Sequence, residues 1–150
     1  MKQTPPATLD AALMPANCTA GNLRQALRAV AQFYDSVIGS SGLTVSQFSL
    51  LSTLEKTGPM PVGALAKRMV MDRTTLTRNL KPLERAGFVE TVPGADRRAR
   101  PIAITPAGEA SLATARPLWA EAQREMVTRF GIEDWASLIG HLRHAVEVVR

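Results

Sequence analysis

The sequence predicts a mainly α-helical protein carrying one small β-hairpin. Apolar residues recur every three or four positions through most of the chain, strand-like alternation appears only between about residues 88 and 105, and turn-forming residues bracket that change. A chain of 150 residues is long enough to bury a core, and its 45% hydrophobic content is too rich for a disordered segment. No uninterrupted apolar run approaches the roughly 18 residues that span a bilayer. The opening MKQTPPATLDAALMPA has no basic segment leading into a long apolar one, so residues 1–18 read as a tail without a secretory signal, and a cytoplasmic home is expected.

Asn22 to about Gly39 reads as a helix with Leu23, Leu27, Val30, Tyr34 and Val37 in heptad-like steps. Thr44 to Lys56 forms the next, with Phe48, Leu51 and Leu54 inward and Gly58-Pro59 ending it. A short helix follows with Val62, Leu65, Ala66 and Met69 as its buried stripe, the chain turns at Val70 and Met71, and Asp72 opens a fourth helix as its N-cap. Phe88 to Val92 and Arg100 to Thr105 are the two arms of the hairpin, with Pro93-Gly94-Ala95-Asp96 as turn chemistry between them; Pro101 places the second arm at a sheet edge. Thr105-Pro106 gives an N-cap and a proline at the first helical position, starting a long helix that Pro117 should bend. Ile132 to Val149 repeats the narrow seam with Ile132, Trp135, Ile139, Leu142, Val146 and Val149. Two terminal helices with such seams want helical partners, so residues 19–43 and 106–150 read as a dimerisation region around a central module of residues 44–105.

The order of three helices, hairpin and helix is that of a winged helix-turn-helix, with the hairpin as wing. The formal net charge of +5 lies wholly between Lys67 and Arg100, where nine basic residues face four acidic ones, while the remainder is balanced. A concentrated cationic stretch on a neutral protein is the footprint of a polyanion binder; a merely solvated face is the alternative. At about 100° per residue, Leu76, Leu80, Leu83 and Gly87 fall on one side of the fourth helix and Thr74, Arg78, Lys81, Pro82 and Arg85 on the other. A helix fits the major groove of duplex DNA, where arginine pairs with guanine and a threonine methyl touches thymine. Thr74, Thr75 and Arg78 are therefore the candidates for base contact, and Arg73, Lys81 and Arg85 complete the basic surface, the last two suited to phosphate. At the wing tip Arg97, Arg98 and Arg100 are suited to a minor groove, with Asp96 holding one guanidinium in register.

The segments MDRTTLTRNLKPLERAGFVE and DRRARPIAITPAG resemble the recognition helix, wing and outgoing helix of the MarR family of bacterial regulators. LRQALRAVAQFYD and LTVSQFSLLSTL resemble that family's first two helices, and Asp96-x-Arg98 matches its wing motif. The resemblance implies a homodimer built from the terminal helices that represses transcription by binding pseudo-palindromic operators, associates with the nucleoid when DNA-bound, and is released by a small molecule or oxidant. Pro82 and Pro117 depart from the family's commonest pattern.

Cys18 is the single cysteine, which excludes an intrachain disulfide. It lies near the position where some relatives sense peroxide, yet no basic residue adjoins it in sequence to lower its pKa, and an inert small residue is the other reading. Arg24 for an anionic effector, and Phe33 or Trp119 for an aromatic one, are candidate cleft residues, against plain surface and core. His141 and His144 lack an evident third ligand, so no metal or cofactor is expected. Neither a phosphate-cradling glycine loop nor a Ser-His-Asp set can be assembled, so an enzyme is not expected. The rival readings are a Cys18 thiol peroxidase and a winged-helix module that binds protein.

Overall fold

The computed structural model describes residues 7–94 and 100–149. Compact packing divides the chain into two units, residues up to Phe33 and residues from Tyr34 onward. In the first, a helical turn at Leu9–Ala12 (α1), capped by the Thr8 hydroxyl, precedes a single turn of tighter helix at Pro15–Asn17. The helix α2, Thr19–Ile38, begins in this unit and ends in the next. The stretch read as a tail thus carries local structure, though each piece is only three or four residues long.

In the second unit the helices are α3 (Val45–Thr57), α4 (Val62–Arg68), α5 (Arg73–Arg85), α6 (Pro106–Phe130) and α7 (Ile132–Val148), and the strands are β1 (Met60–Pro61), β2 (Val89–Thr91) and β3 (Pro101–Ile104). The core gathers Ile38, Leu50, Leu51 and Leu54 with Leu65, Leu76, Leu83 and Leu112, all with almost no solvent contact. α3 starts firmly because three of its orphan amides are met: Thr44 and Gln47 form a reciprocal capping box, and Asp35 accepts from Val45 N–H at 2.6 Å. The Tyr34 hydroxyl donates to Gln123 at 2.5 Å, tying the end of α2 to α6, and Arg116 of α6 pairs with Glu55 of α3. Phe48 and Trp119 stack across the same contact, ring centroids 5.6 Å apart.

The sheet corrects the expectation of a two-stranded hairpin with Pro101 at an edge. Its order is β1-β3-β2, all antiparallel, so the strand that holds Pro101 is central. Proline is accommodated because it is the first residue of β3 and faces Pro61, so neither needs the amide it lacks, while the Pro101 carbonyl still accepts from Val92 N–H at 2.9 Å. On the other side Val89 pairs with Ile104 and Thr91 with Ile102.

α6 is locked to the base of this wing. Thr105 caps it by accepting from Gly108 N–H, donates through its hydroxyl to the Gly87 carbonyl at 2.6 Å, and donates its amide to the Phe88 carbonyl at 3.0 Å. Gly108 is buried there, and a β-carbon on it would lie 2.1 Å from the Phe88 carbonyl oxygen.

Candidate nucleic-acid interface

α5 is amphipathic in the sense its spacing requires. Leu76, Leu80 and Leu83 are buried, and Arg73, Thr74, Arg78, Lys81 and Arg85 are exposed. Gly87, assigned by helical arithmetic to the buried side, is exposed instead: the helix has ended at Arg85, and Gly87 takes the left-handed conformation that terminates it. The start is set by Asp72. One carboxylate oxygen accepts from Thr75 N–H at 2.8 Å and the other from the Thr75 hydroxyl at 2.6 Å. That hydroxyl bond, with the amide bond beside it, holds the Asp72 carboxyl below its usual range. Thr75, half-buried, has its hydroxyl committed to this cap, whereas Thr74 faces solvent.

Arg73, Thr74, Thr77, Arg78 and Lys81 line one open groove on the outer face of α5. Four of the five are sequence candidates. Thr77 is the addition: it lies four residues after Arg73 and four before Lys81, the spacing that stacks side chains on one helical face. Its hydroxyl donates to the Arg73 carbonyl at 2.8 Å, leaving its methyl as the distinctive group on the surface. Arg85 stands exposed in the last turn of α5, where a cation suits the negative end of the helix dipole. Arg100 is exposed immediately before β3. Asp96, Arg97 and Arg98 lie outside the described residues.

Cys18 and Arg24 are exposed and Phe33 half-buried in the first unit; Trp119, in the second, is engaged by its stack on Phe48. Among the described residues no group of three His, Cys, Asp or Glu side chains is placed to hold a metal ion.

The fold and this surface define a winged helix-turn-helix with an exposed cationic helix. A profile of the MarR family matches residues 43–99, which run from the start of the helix-turn-helix into the wing. The crystal structure of the M. tuberculosis transcriptional regulator MosR in complex with DNA is 39% identical, covers 89% of this chain and 98% of its own, and has a TM-score of 0.76. A probable transcriptional regulator from Pseudomonas aeruginosa is 26% identical over 88% of this chain and 99% of its own, with a TM-score of 0.78. An uncharacterized HTH-type transcriptional regulator, YwoH of Bacillus subtilis (strain 168), is 27% identical over 75% of this chain and 82% of its own length. The chain belongs to the MarR family of transcriptional regulators.

Proposed function

We propose that this chain binds duplex DNA as a homodimer, seats α5 of each protomer in successive major grooves, and lowers transcription by occupying a promoter. The observation that carries the reading is the outer face of α5, where Arg73, Arg78 and Lys81 are exposed beside Thr74 and Thr77 above a fully buried leucine face. A helix built this way offers donors and cations to base edges and phosphates without unfolding anything to do so. The M. tuberculosis relative, more than a third identical and crystallised with DNA, supports the same use of the fold here.

Within that interface Thr74 and Arg78 read bases, Thr75 fixes the cap, and Lys81, Arg85 and Arg100 meet phosphates, with the wing reaching a flanking groove. Dimerisation is supported by apolar rows left open on single helices. On α2, Leu23, Leu27 and Val30 are exposed; on α7 no residue is buried, and Ile132, Leu142 and Val146 lie open to water. Rows this long on one chain are an interface in search of a second surface. Residues 19–43 and 106–150 therefore supply the dimerisation region and residues 44–105 the DNA-binding module. Two recognition helices related by a two-fold axis read pseudo-palindromic half-sites about one helical turn apart. An effector would release the DNA by favouring a lobe spacing that no longer fits those half-sites. No helix among the described residues is long and apolar enough to cross a membrane, in keeping with action in the cytoplasm on the nucleoid.

The test is a duplex enriched by the protein from a random pool, used in gel-shift titrations. Arg78→Ala should weaken the enriched duplex by about 1 to 3 kcal/mol and relax preference at one position of each half-site. Equal losses on enriched and random duplex would contradict a base-reading role for Arg78.

A further inference from the structure

Left-handed backbone is the province of glycine, and four of the five positive-φ positions among the described residues hold it: Gly42, Gly58, Gly87 and Gly131. The fifth is Val70, at φ 54°. Val70 follows the end of α4, where Met71 N–H donates to the Ala66 carbonyl at 2.9 Å and Val70 N–H to the Lys67 carbonyl at 3.3 Å. These are the paired bonds that close a helix through a left-handed residue. The same pair closes α5, with Phe88 donating to Leu83 and Gly87 to Glu84, and there the left-handed residue is a glycine. One chain thus makes the same turn twice, once with the residue that suits it and once with a β-branched side chain, among the least suited.

Val70 carries a second cost. It is 56% exposed, and among the described residues it is the one large hydrophobic side chain left exposed between Val30 and Phe130. Glycine would relieve the strain and remove the exposed apolar surface together, so the folding of the turn does not explain the valine. A residue held at a cost to folding is explained by something it touches outside the fold. Val70 stands two positions before Asp72, the cap of α5. Groove-reading helices meet base edges with their N-terminal end. The apolar group displayed in the major groove is the thymine 5-methyl.

We propose that Val70 is a specificity-determining residue that packs against a thymine 5-methyl in each half-site of the operator, an inference that rests on the DNA-binding reading above. The strained turn holds the branched side chain in place before DNA arrives, so that no ordering is needed on contact.

The experiment uses a duplex enriched from a random pool by the wild-type protein, with each thymidine replaced in turn by deoxyuridine, symmetrically in both half-sites. At one position the loss of the methyl should weaken wild-type binding about fourfold per half-site. Val70→Gly should bind the thymidine duplex correspondingly more weakly and be indifferent to that replacement. Val70→Ala, which retains the β-carbon and loses both methyls, should be indifferent as well. Val70→Gly should also unfold at a higher temperature than wild type, which separates weaker binding from misfolding. The proposal is overturned if Val70→Gly binds like wild type, if it keeps the wild-type ratio between the thymidine and deoxyuridine duplexes, or if wild type is indifferent at every thymidine. Failure of the underlying reading looks different: wild-type protein would enrich no duplex at all, and both would fall.

Discussion

Replacing Gly108 with alanine adds one methyl group at the most constrained contact between α6 and the wing. The new β-carbon would sit 2.1 Å from the Phe88 carbonyl oxygen and 2.8 Å from Cγ1 of Ile104, where ordinary contact begins at 3.4 Å. The nearest obstacle is backbone, so no side-chain rotation relieves it; α6 or the start of β2 must move by more than an ångström. Both are fastened by Thr105, through its amide to Phe88 and its hydroxyl to Gly87. Overpacking costs about 1 to 3 kcal/mol, the two strained hydrogen bonds about 1 kcal/mol each, and the better helix propensity of alanine returns up to about 1 kcal/mol. The net is a loss of about 2 to 4 kcal/mol, or about 10 °C in Tm for a chain of this size. The assay is thermal and urea unfolding at one fixed protein concentration, with Gly63→Ala alongside. A β-carbon at Gly63, in α4, meets nothing within 4 Å, so the same substitution there should be neutral or stabilise by about 0.5 kcal/mol. A Gly108→Ala protein that melts at or above wild type would refute the packing argument.

Two further outcomes follow from the cap and from the open helices. The folded-state pKa of Asp72 is depressed, so its contribution to stability is present above the unfolded value near 3.8 and is lost as pH falls through the lower folded value. A carboxyl-carbon titration by NMR should place its midpoint below 3.8 and Thr75→Ala should raise it; a midpoint unchanged by Thr75→Ala would contradict the assigned cause. Leu27 is 68% exposed on α2, and Leu27→Asp should shift the protein toward monomer in analytical ultracentrifugation, with weaker DNA binding at nanomolar protein; a dimer that persists unchanged would place the interface elsewhere.

Much of this architecture was legible because local chemistry and long-range packing agree. Asp72 and Thr105 are N-caps in the structure as in the sequence, and Leu76, Leu80 and Leu83 point inward at the expected period. What escaped reading depends on partners distant in the chain. β1 is two residues, too short to alternate, and exists because Met60 and Pro61 lie beside Ile102 and Pro101. That pairing also turned the strand of Pro101 from edge to centre. Thr77 was within reach of sequence reasoning, since its spacing from Arg73 and Lys81 is helical. Val70 was not: a valine in a sequence carries no sign of positive φ, which appears only when the bonds from Val70 and Met71 back to Lys67 and Ala66 are seen.

If the charged outer face of α5 engages the phosphates of duplex DNA, counterions are released on binding and affinity must fall as salt rises. With Arg78 given to base edges, Arg73, Lys81, Arg85 and Arg100 remain exposed for phosphate, eight cations in the proposed dimer, and the logarithm of the binding constant should fall against log salt with a slope approaching about −7. Lys81→Ala should flatten that slope by about 2 in the dimer and weaken every duplex alike. A wild-type protein that binds no duplex in dilute buffer, or whose binding ignores salt, would contradict the account.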